Sequence, residues 1–506
     1  MTGRELPVLG PDVDGGTRLG MTGRALFSDL RLVPGRMERI VAQADGVARL
    51  RGRLVPVAVV ADPGLARTIL TRPVGFGQGR GIDALALTFG QGLLTSKGDL
   101  HRRQRRLVQP AFHARRLAVY AEDAVRLATA RSAAWRDASD VRIDHPVDHP
   151  VDHAIDHPID HPIDHPIDHP GRVAVDVADE MSSLTLEFVG RTLFGTDVRD
   201  EVLVVSETMR HLLRIFPILM SPRGMLSARL PTPLRRRLRR EIARLDAVVE
   251  RVIAERGATG DTGDVVSMLL GVRDEDTGEG MPHRQVRDEV LTLLLAGHET
   301  TAVALSWAWY ELWRTPAART ALDAELATGA AGAALADAAW DRLPVTRAIV
   351  SETLRLHPPA YIMGRRPTED VTLGRYRFRR GQAVVISPYG LHRDPRSWGP
   401  DVAEFRPSRW LGPDGAFDEA APGQPRGAYL PFGAGSRMCI GAGFAVMEAV
   451  LLLAGLARDW HVEFAPGFVP SPRPAVTYRP GPMPATLRPL PAITGTAPPP
   501  RGVSRG

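Results

Sequence analysis

A chain of 506 residues, 44% hydrophobic and 24% charged, can bury a large core and has the composition of a soluble globular protein. Its net charge of +6 rests almost wholly on arginine, Lys97 being the one lysine. With so much Ala, Gly and Pro beside it, this looks like GC-rich coding rather than selection for a polyanion, and no nucleic-acid partner is expected. No apolar run is long enough for a membrane span, the N-terminus lacks a signal-peptide core, and the lone Cys439 excludes an internal disulfide, so a cytoplasmic protein is expected.

In chain order, residues 1–20 read as a flexible N-terminus ahead of one large domain over 21–490. "LVPVAVVADPGLARTIL" predicts a strand, a turn at Asp62-Pro63 and a helix. "GDLHRRQRRLVQPAF" predicts a basic helix stopped by Pro110, and helical patterns follow over 114–136 and 174–195. Between them the tetrapeptide (I/V)-D-H-(P/A) runs seven times over 143–170 and holds seven of the fifteen histidines. Proline at nearly every fourth position removes amide donors and drives each preceding histidine toward extended geometry. No helix can then present these histidines at i, i+4. An extended low-complexity insertion is expected, with metal binding through His and Asp as the alternative.

Residues 202–258 are helical with a Pro-interrupted connection, and the run "LRRRLRREIARL" from Leu234 reads as a solvated helix face. A long helix is expected over 283–313 and another ahead of His357. Short strands and turns fill 371–387, a last helix covers 442–458, and 491–506 form a disordered tail. The fold class is mainly α with a smaller β region.

Chemistry concentrates in "LPFGAGSRMCIGAGFAVMEAVLLLAGL", where Gly433, Gly435 and Gly441 surround Cys439 and an apolar helix follows. Glycine permits positive φ and close approach, and free amides at a helix start favour a thiolate. A buried structural cysteine is the alternative. In "LTLLLAGHETTAVALSW" an apolar helix is interrupted by His298, Glu299, Thr300 and Thr301, polar groups that need partners or a purpose. Thr bonding back to the preceding turn is the structural alternative. Glu352 and Arg355 lie three apart on one helix face, and His101 and Arg105 four apart on another; each pair alone could be a solvated surface feature.

The spacing Phe432-x-x-Gly435-x-Arg437-x-Cys439-x-Gly441, followed by Ala445, resembles the haem-binding loop of the cytochrome P450 family at every motif position. Ala296-Gly297-His298-Glu299-Thr300-Thr301 is similar to that family's oxygen-activation motif. Glu352-x-x-Arg355 is similar to its Glu-x-x-Arg, with Arg409 in "EFRPSRW" as third member. The motifs stand in family order, and the resemblance runs from about 50 to 490 without the repeat. It implies the cytochrome P450 fold, a single large domain with haem b (iron protoporphyrin IX) between a long distal helix and a proximal Cys loop and helix. By resemblance Cys439 is the axial iron ligand, Phe432 shields the sulfur, and Arg437, His101, Arg105 and Arg365 meet the propionates. Gly441, Ala296 and Gly297 line the haem, the last two leaving room for dioxygen, while Thr300 and Glu299 deliver protons.

The implied reaction is monooxygenation of a hydrophobic small molecule, a terpenoid or a fatty acid. Electrons would come from NAD(P)H through a ferredoxin and its reductase, or a flavodoxin, with Arg102, Arg103 and Arg106 facing an acidic partner. Apolar walls are expected from Phe76 to Leu94, Phe216 to Leu226, Leu294 to Thr300, Ala360 to Met363 and the turn near Met483. A monomer is expected. The rival readings are a haem-thiolate enzyme using peroxide or catalysing isomerisation, and a non-catalytic haem- or metal-binding protein.

Overall fold

A computed structural model describes residues 8–491 apart from 12–13, 28, 52–55, 73, 141–170, 196–203, 206, 209–210, 213–214, 217, 220–221, 258–259, 261, 421–424 and 426. The repeat over 143–170 and the tail from 492 lie outside the described residues. Seven helices build the candidate site or pack around it: α1 (Gly98–Val108), α2 (Ala114–Asp140), α3 (Val177–Phe194), α4 (Pro233–Gly257), α5 (His283–Arg314), α6 (Pro344–Leu356) and α7 (Ala442–Ala457).

The 32-residue α5 is the axis of the molecule. It is apolar enough to cross a membrane by composition, yet 83% of its most apolar window is buried by the rest of the protein, which marks a core helix. It packs most extensively on α3, and α7 packs most extensively on α2, so the Cys-bearing segment is carried on the core itself. α7 has Leu451, Leu452, Leu453 and Ala454 all at 0% exposure, as expected of a helix apolar around its circumference.

Local chemistry explains the helix starts. Asp62 caps the helix Pro63–Thr71, its carboxylate accepting from the Leu65 amide at 2.6 Å, with Pro63 in the first position where no amide is needed. Asp176 does the same for α3 through the amides of Ala178 and Asp179. α1 stops at Val108, and a 3-10 turn, Gln109–Phe112, takes up Pro110.

The β region is small and lies to one side. Seven strands pair in the spatial order Val8–Pro11, Thr17–Thr22, Val47–Arg51, Val57–Val60, Ala383–Ile386, Met363–Pro367 and Phe76–Gln78. Residues 8–11 and 17–22 therefore correct the expectation of a flexible segment through residue 20. The turn Gly15-Gly16, at φ of 78° and 107°, folds the two strands into a hairpin that buries Leu19 on the sheet. Val173–Asp176, read from sequence as part of a helix, is instead a strand against Pro484–Pro489.

Candidate functional site

Cys439 lies between the 3-10 turn Gly435–Arg437 and the start of α7. Its amide donates to the Phe432 carbonyl at 2.9 Å, and the Met438 amide to the Gly435 carbonyl at 3.0 Å, which closes the loop on itself. Gly433 and Gly435 have φ of 71° and 74°. A Cβ on Gly435 would sit 2.4 Å from the Leu70 carbonyl oxygen, so only glycine allows this approach. Gly441 differs from the expectation of positive φ: its φ is −91°, and an added Cβ would make ordinary contact with Phe112 at 3.4 Å. Its contribution is the amide. Cys439 is solvent-reachable, but the protein massed around it raises the thiol pKa; the Gly441 amide and the Arg105 charge pull it down without overcoming burial.

Beside the thiol, four basic side chains from α1, one strand and the Cys loop share one electrostatic neighbourhood. Arg105 on α1 donates to the Met438 carbonyl at 2.8 Å. Arg437 donates to the carbonyls of Ser96 at 2.7 Å and Leu93 at 3.4 Å. Arg365, on the strand Met363–Pro367, donates to the carbonyl of Gly364 at 3.0 Å. Among the described residues none of the three pairs with a carboxylate. Burial, then Arg365 and Arg105, lower the Arg437 pKa to about 10. Burial, then Arg437 and Arg105, lower that of His101 to about 4, so the imidazole is neutral at pH 7 and would meet an anion as a neutral donor. Three guanidiniums gathered without an acid are the arrangement that a pair of propionates would complete.

On the distal side, every residue of α5 from Asp288 to Leu312 is buried except Ala296, Gly297 and Thr300. Ala296 and Thr300, spaced i and i+4, form one short face bordering an interior hollow, while Gly297 turns toward α3. Thr300 Oγ1 donates to the Ala296 carbonyl at 2.6 Å, the back-bond of a helical threonine. Gly297 corrects an expectation: an added Cβ would lie 3.0 Å from Val189 Cγ2, so its missing side chain lets α3 approach and does not open space for dioxygen. Glu299 is turned into the protein at 1% exposure, its Oε1 accepting from Thr477 Oγ1 at 2.7 Å and pairing with Arg479 Nε at 2.8 Å. Burial raises its pKa against the pull of Arg479 and Thr477. His298 sits 2.9 Å from Ser182 Oγ and is pushed down to about 4, mainly by burial.

Sequence reasoning passed over Glu448. Thr301 Oγ1 donates to its Oε2 at 2.9 Å, tying α5 to α7, and complete burial pushes its pKa well above the carboxylate range. The available signal was one carboxylate inside the apolar run "AVMEAVLLLAGL".

Below the Cys loop, Glu352 and Arg355 are both 0% exposed and joined by two hydrogen bonds of 2.8 and 2.7 Å. Arg355 also donates to the carbonyls of His392, Val402 and Glu404 at 2.9, 2.7 and 2.9 Å. Glu352 accepts from Arg409 at 3.3 Å, the Arg406 amide at 3.0 Å and Trp410 Nε1 at 3.0 Å. His392 carries the order onward, its Nε2 accepting from the Leu430 amide at 2.8 Å. What read alone as a surface pair is a fully buried hub one step from the Cys loop.

Among the expected walls, Phe76, Leu87, Leu94, Ile362 and Met363 are partly buried, as an apolar lining requires. Leu294 and Met483 are instead sunk in the core at 1% and 0% exposure, and Leu226 is exposed. Arg102, Arg103 and Arg106 are already paired, with Asp99, with Asp274 and Glu279, and with Asp274 and Asp276. Their charge is offset within the chain. No cluster of three or more His, Cys, Asp or Glu suited to a metal ion occurs among the described residues.

The donor set fits haem b: a reachable thiol with an amide beside it, three guanidiniums without an acid, and one small-residue face on the distal helix. The comparisons with known proteins agree. The cytochrome P450 family model matches residues 163–481. Cyclooctatin synthase of Streptomyces melanosporofaciens is 38% identical over 85% of this chain and 85% of its own. Cyclooctat-9-en-7-ol 5-monooxygenase of the same organism is 33% identical over 85% of each. Pentalenene oxygenase of Streptomyces avermitilis is 32% identical over 81% of this chain and 82% of its own. With its thiol loop, distal threonine and buried Glu-Arg hub in family order, the chain belongs to the cytochrome P450 family of haem-thiolate monooxygenases.

Proposed function

We propose that this cytochrome P450 hydroxylates a terpenoid at an unactivated C–H bond. The observation that carries this reading is the face of Ala296 and Thr300, open in the otherwise buried stretch of α5 from Asp288 to Leu312, on a helix tied to the Cys helix through Thr301 and Glu448. Partly buried apolar walls suit a hydrophobic substrate, and the relatives named above include a pentalenene oxygenase and a cyclooctat-9-en-7-ol monooxygenase.

Haem b, when bound, supplies dioxygen binding and O–O cleavage, which thiolate donation favours. Cys439 gives the thiolate, which the Gly441 amide and the Arg105 charge favour and which is completed by bound iron against the burial that raises the thiol pKa. Arg105, Arg365, Arg437 and neutral His101 take the propionates, and Phe432 covers the sulfur. Thr300 presents its hydroxyl to the hollow with its own proton parked on the Ala296 carbonyl, leaving the oxygen free to accept from a water. Glu299 takes protons from solvent and passes them inward, held in place by Arg479, whose side chain is 33% exposed and stays charged throughout. One oxygen atom enters the C–H bond as hydroxyl; the other leaves as water, with two electrons and two protons. The electrons come from NAD(P)H through a ferredoxin or flavodoxin.

The reduced, carbon-monoxide-treated protein should show the thiolate-ligated absorption band, and Cys439→Ser should lack it. Terpenes should shift the resting haem from low to high spin and yield hydroxylated product with a ferredoxin system. A spin shift and product with fatty acids alone would overturn the substrate class, and turnover with peroxide but never with reduced ferredoxin would overturn the reaction.

A further inference from the structure

Away from the haem site, the outer face of α4 and His211 border an open hollow of about 610 Å³. Its walls include Arg236, Arg237, Arg240 and Arg244 against only two acids, Glu207 and Glu241. Arg236, Arg240 and Arg244 are spaced i, i+4 and i+8, a line of like charges that destabilises a helix unless something offsets it. Little does. Arg236, Arg237 and Arg240 make no ion pair among the described residues, and Arg244 reaches only Glu241, at 3.6 Å. Glu241 is 5% exposed and lies 3.4 Å from His211 Nδ1, so it serves as the floor that orients Arg244 and His211. The first turn of α4 also opens at Pro233 on the same hollow, though the Arg235 and Arg236 amides are taken by the Thr232 hydroxyl and carbonyl at 3.3 and 3.1 Å, so the ligand contacts fall to the side chains.

A merely solvated basic face would be convex. Here guanidiniums surround a concavity of the size that takes a small ligand, and planar guanidiniums suit the oxygens of phosphate groups. We infer that this hollow is a second binding site, separate from the haem pocket, for a diphosphate group, either free or carried on a nucleotide. A single phosphate would satisfy one or two of the arginines; a diphosphate is long enough to bridge successive turns of α4, which rise about 5.4 Å each.

The test is calorimetric titration of the full-length, haem-loaded protein with inorganic pyrophosphate and with ADP, against orthophosphate and sulfate at matched ionic strength. Saturable binding of pyrophosphate is expected, roughly tenfold or more tighter than sulfate and weakened at least as much in an Arg236→Gln/Arg240→Gln double variant. Both substitutions are at exposed positions, so circular dichroism and the carbon monoxide spectrum should stay unchanged. ADP binding as tightly as pyrophosphate would assign a nucleotide, and pyrophosphate alone the free anion. Absent saturation, equal affinity for sulfate, no effect of the double variant, or binding only to phosphatidylglycerol vesicles would each overturn the site.

Discussion

Two buried polar regions flank the site, and they are built on opposite rules. Under the Cys loop, Glu352, Arg355 and Arg409 are deeply buried, with Glu352 paired to both arginines and also accepting from Trp410 Nε1 and the Arg406 amide, while Arg355 spends its other bonds on backbone carbonyls. Along the distal helix, Glu289, Glu299 and, across on α7, Glu448 are just as buried but each pushed toward its neutral form. Oε1 of Glu289, Oε1 of Glu448, Oγ1 of Thr292 and Nδ1 of His298 have no hydrogen-bond partner among the described residues. A saturated network holds one geometry; an unsaturated one leaves acids able to hold or release protons. The first is built for rigidity and the second for chemistry.

The comparison breaks most visibly at the hub. Glu352→Gln leaves the buried Arg355 without its anion and Arg409 paired to Asp401, a loss of roughly 3–5 kcal/mol for a broken buried pair. Haem content after purification and the urea midpoint should both fall, and a variant that loads haem normally would contradict the hub's role. On the distal side, Thr300→Val removes the hydroxyl but no packing. Haem loading and the carbon monoxide band should survive, while product formed per NADPH consumed drops on the order of 10²-fold, the range of a lost proton-transfer group. Measuring peroxide release alongside product separates this from slower reduction.

A subtler test uses pH. Burial, then the Asp288 charge, lift Glu289 to about 8 even though the Leu93 amide donates to it at 2.8 Å. Its folded value lies above the ordinary carboxylate range, so its contribution is intact at low pH and lost as pH rises through about 8. Glu289→Gln, which cannot ionise, should gain on wild type by on the order of 1–3 kcal/mol between pH 5 and pH 9, read from urea midpoints. The acid limit has the opposite sign. His101, His298 and His357 are held near 4 and His392 near 3, chiefly by burial, so the stability they support above their ordinary value of 6.5 is lost as pH falls toward 4. Smallest of all, deleting 147–170 should leave haem content and turnover unchanged, because every residue assigned to the site lies on other elements; a marked loss of either would give the repeat a role.

Much of the architecture was legible because helices report themselves locally. α1, α5 and α7 fall within a few residues of their expected bounds, since apolar spacing, Pro110 and the glycines of the Cys loop are all near-neighbour signals. The strand Val173–Asp176 was misread for the converse reason: its pairing partner, Pro484–Pro489, lies far along the chain, and the N-terminal hairpin is fixed only where its second strand joins Val47–Arg51.

The same division holds at the site. The sequence by itself marked out the Cys439 loop, Thr300 and the Glu352-x-x-Arg355 pair, because each is a short motif of fixed residue types at fixed spacing. Only the tertiary structure decided that Gly297 serves helix packing, that Glu299 is anchored by Thr477 and Arg479, and that Arg103 and Arg106 are already spent on Asp274. It alone brought Glu448 to Thr301 and set Arg105, Arg365 and Arg437 in one uncompensated field. Burial and charge act through space, and residues more than a hundred positions apart become neighbours only when the core closes around α5.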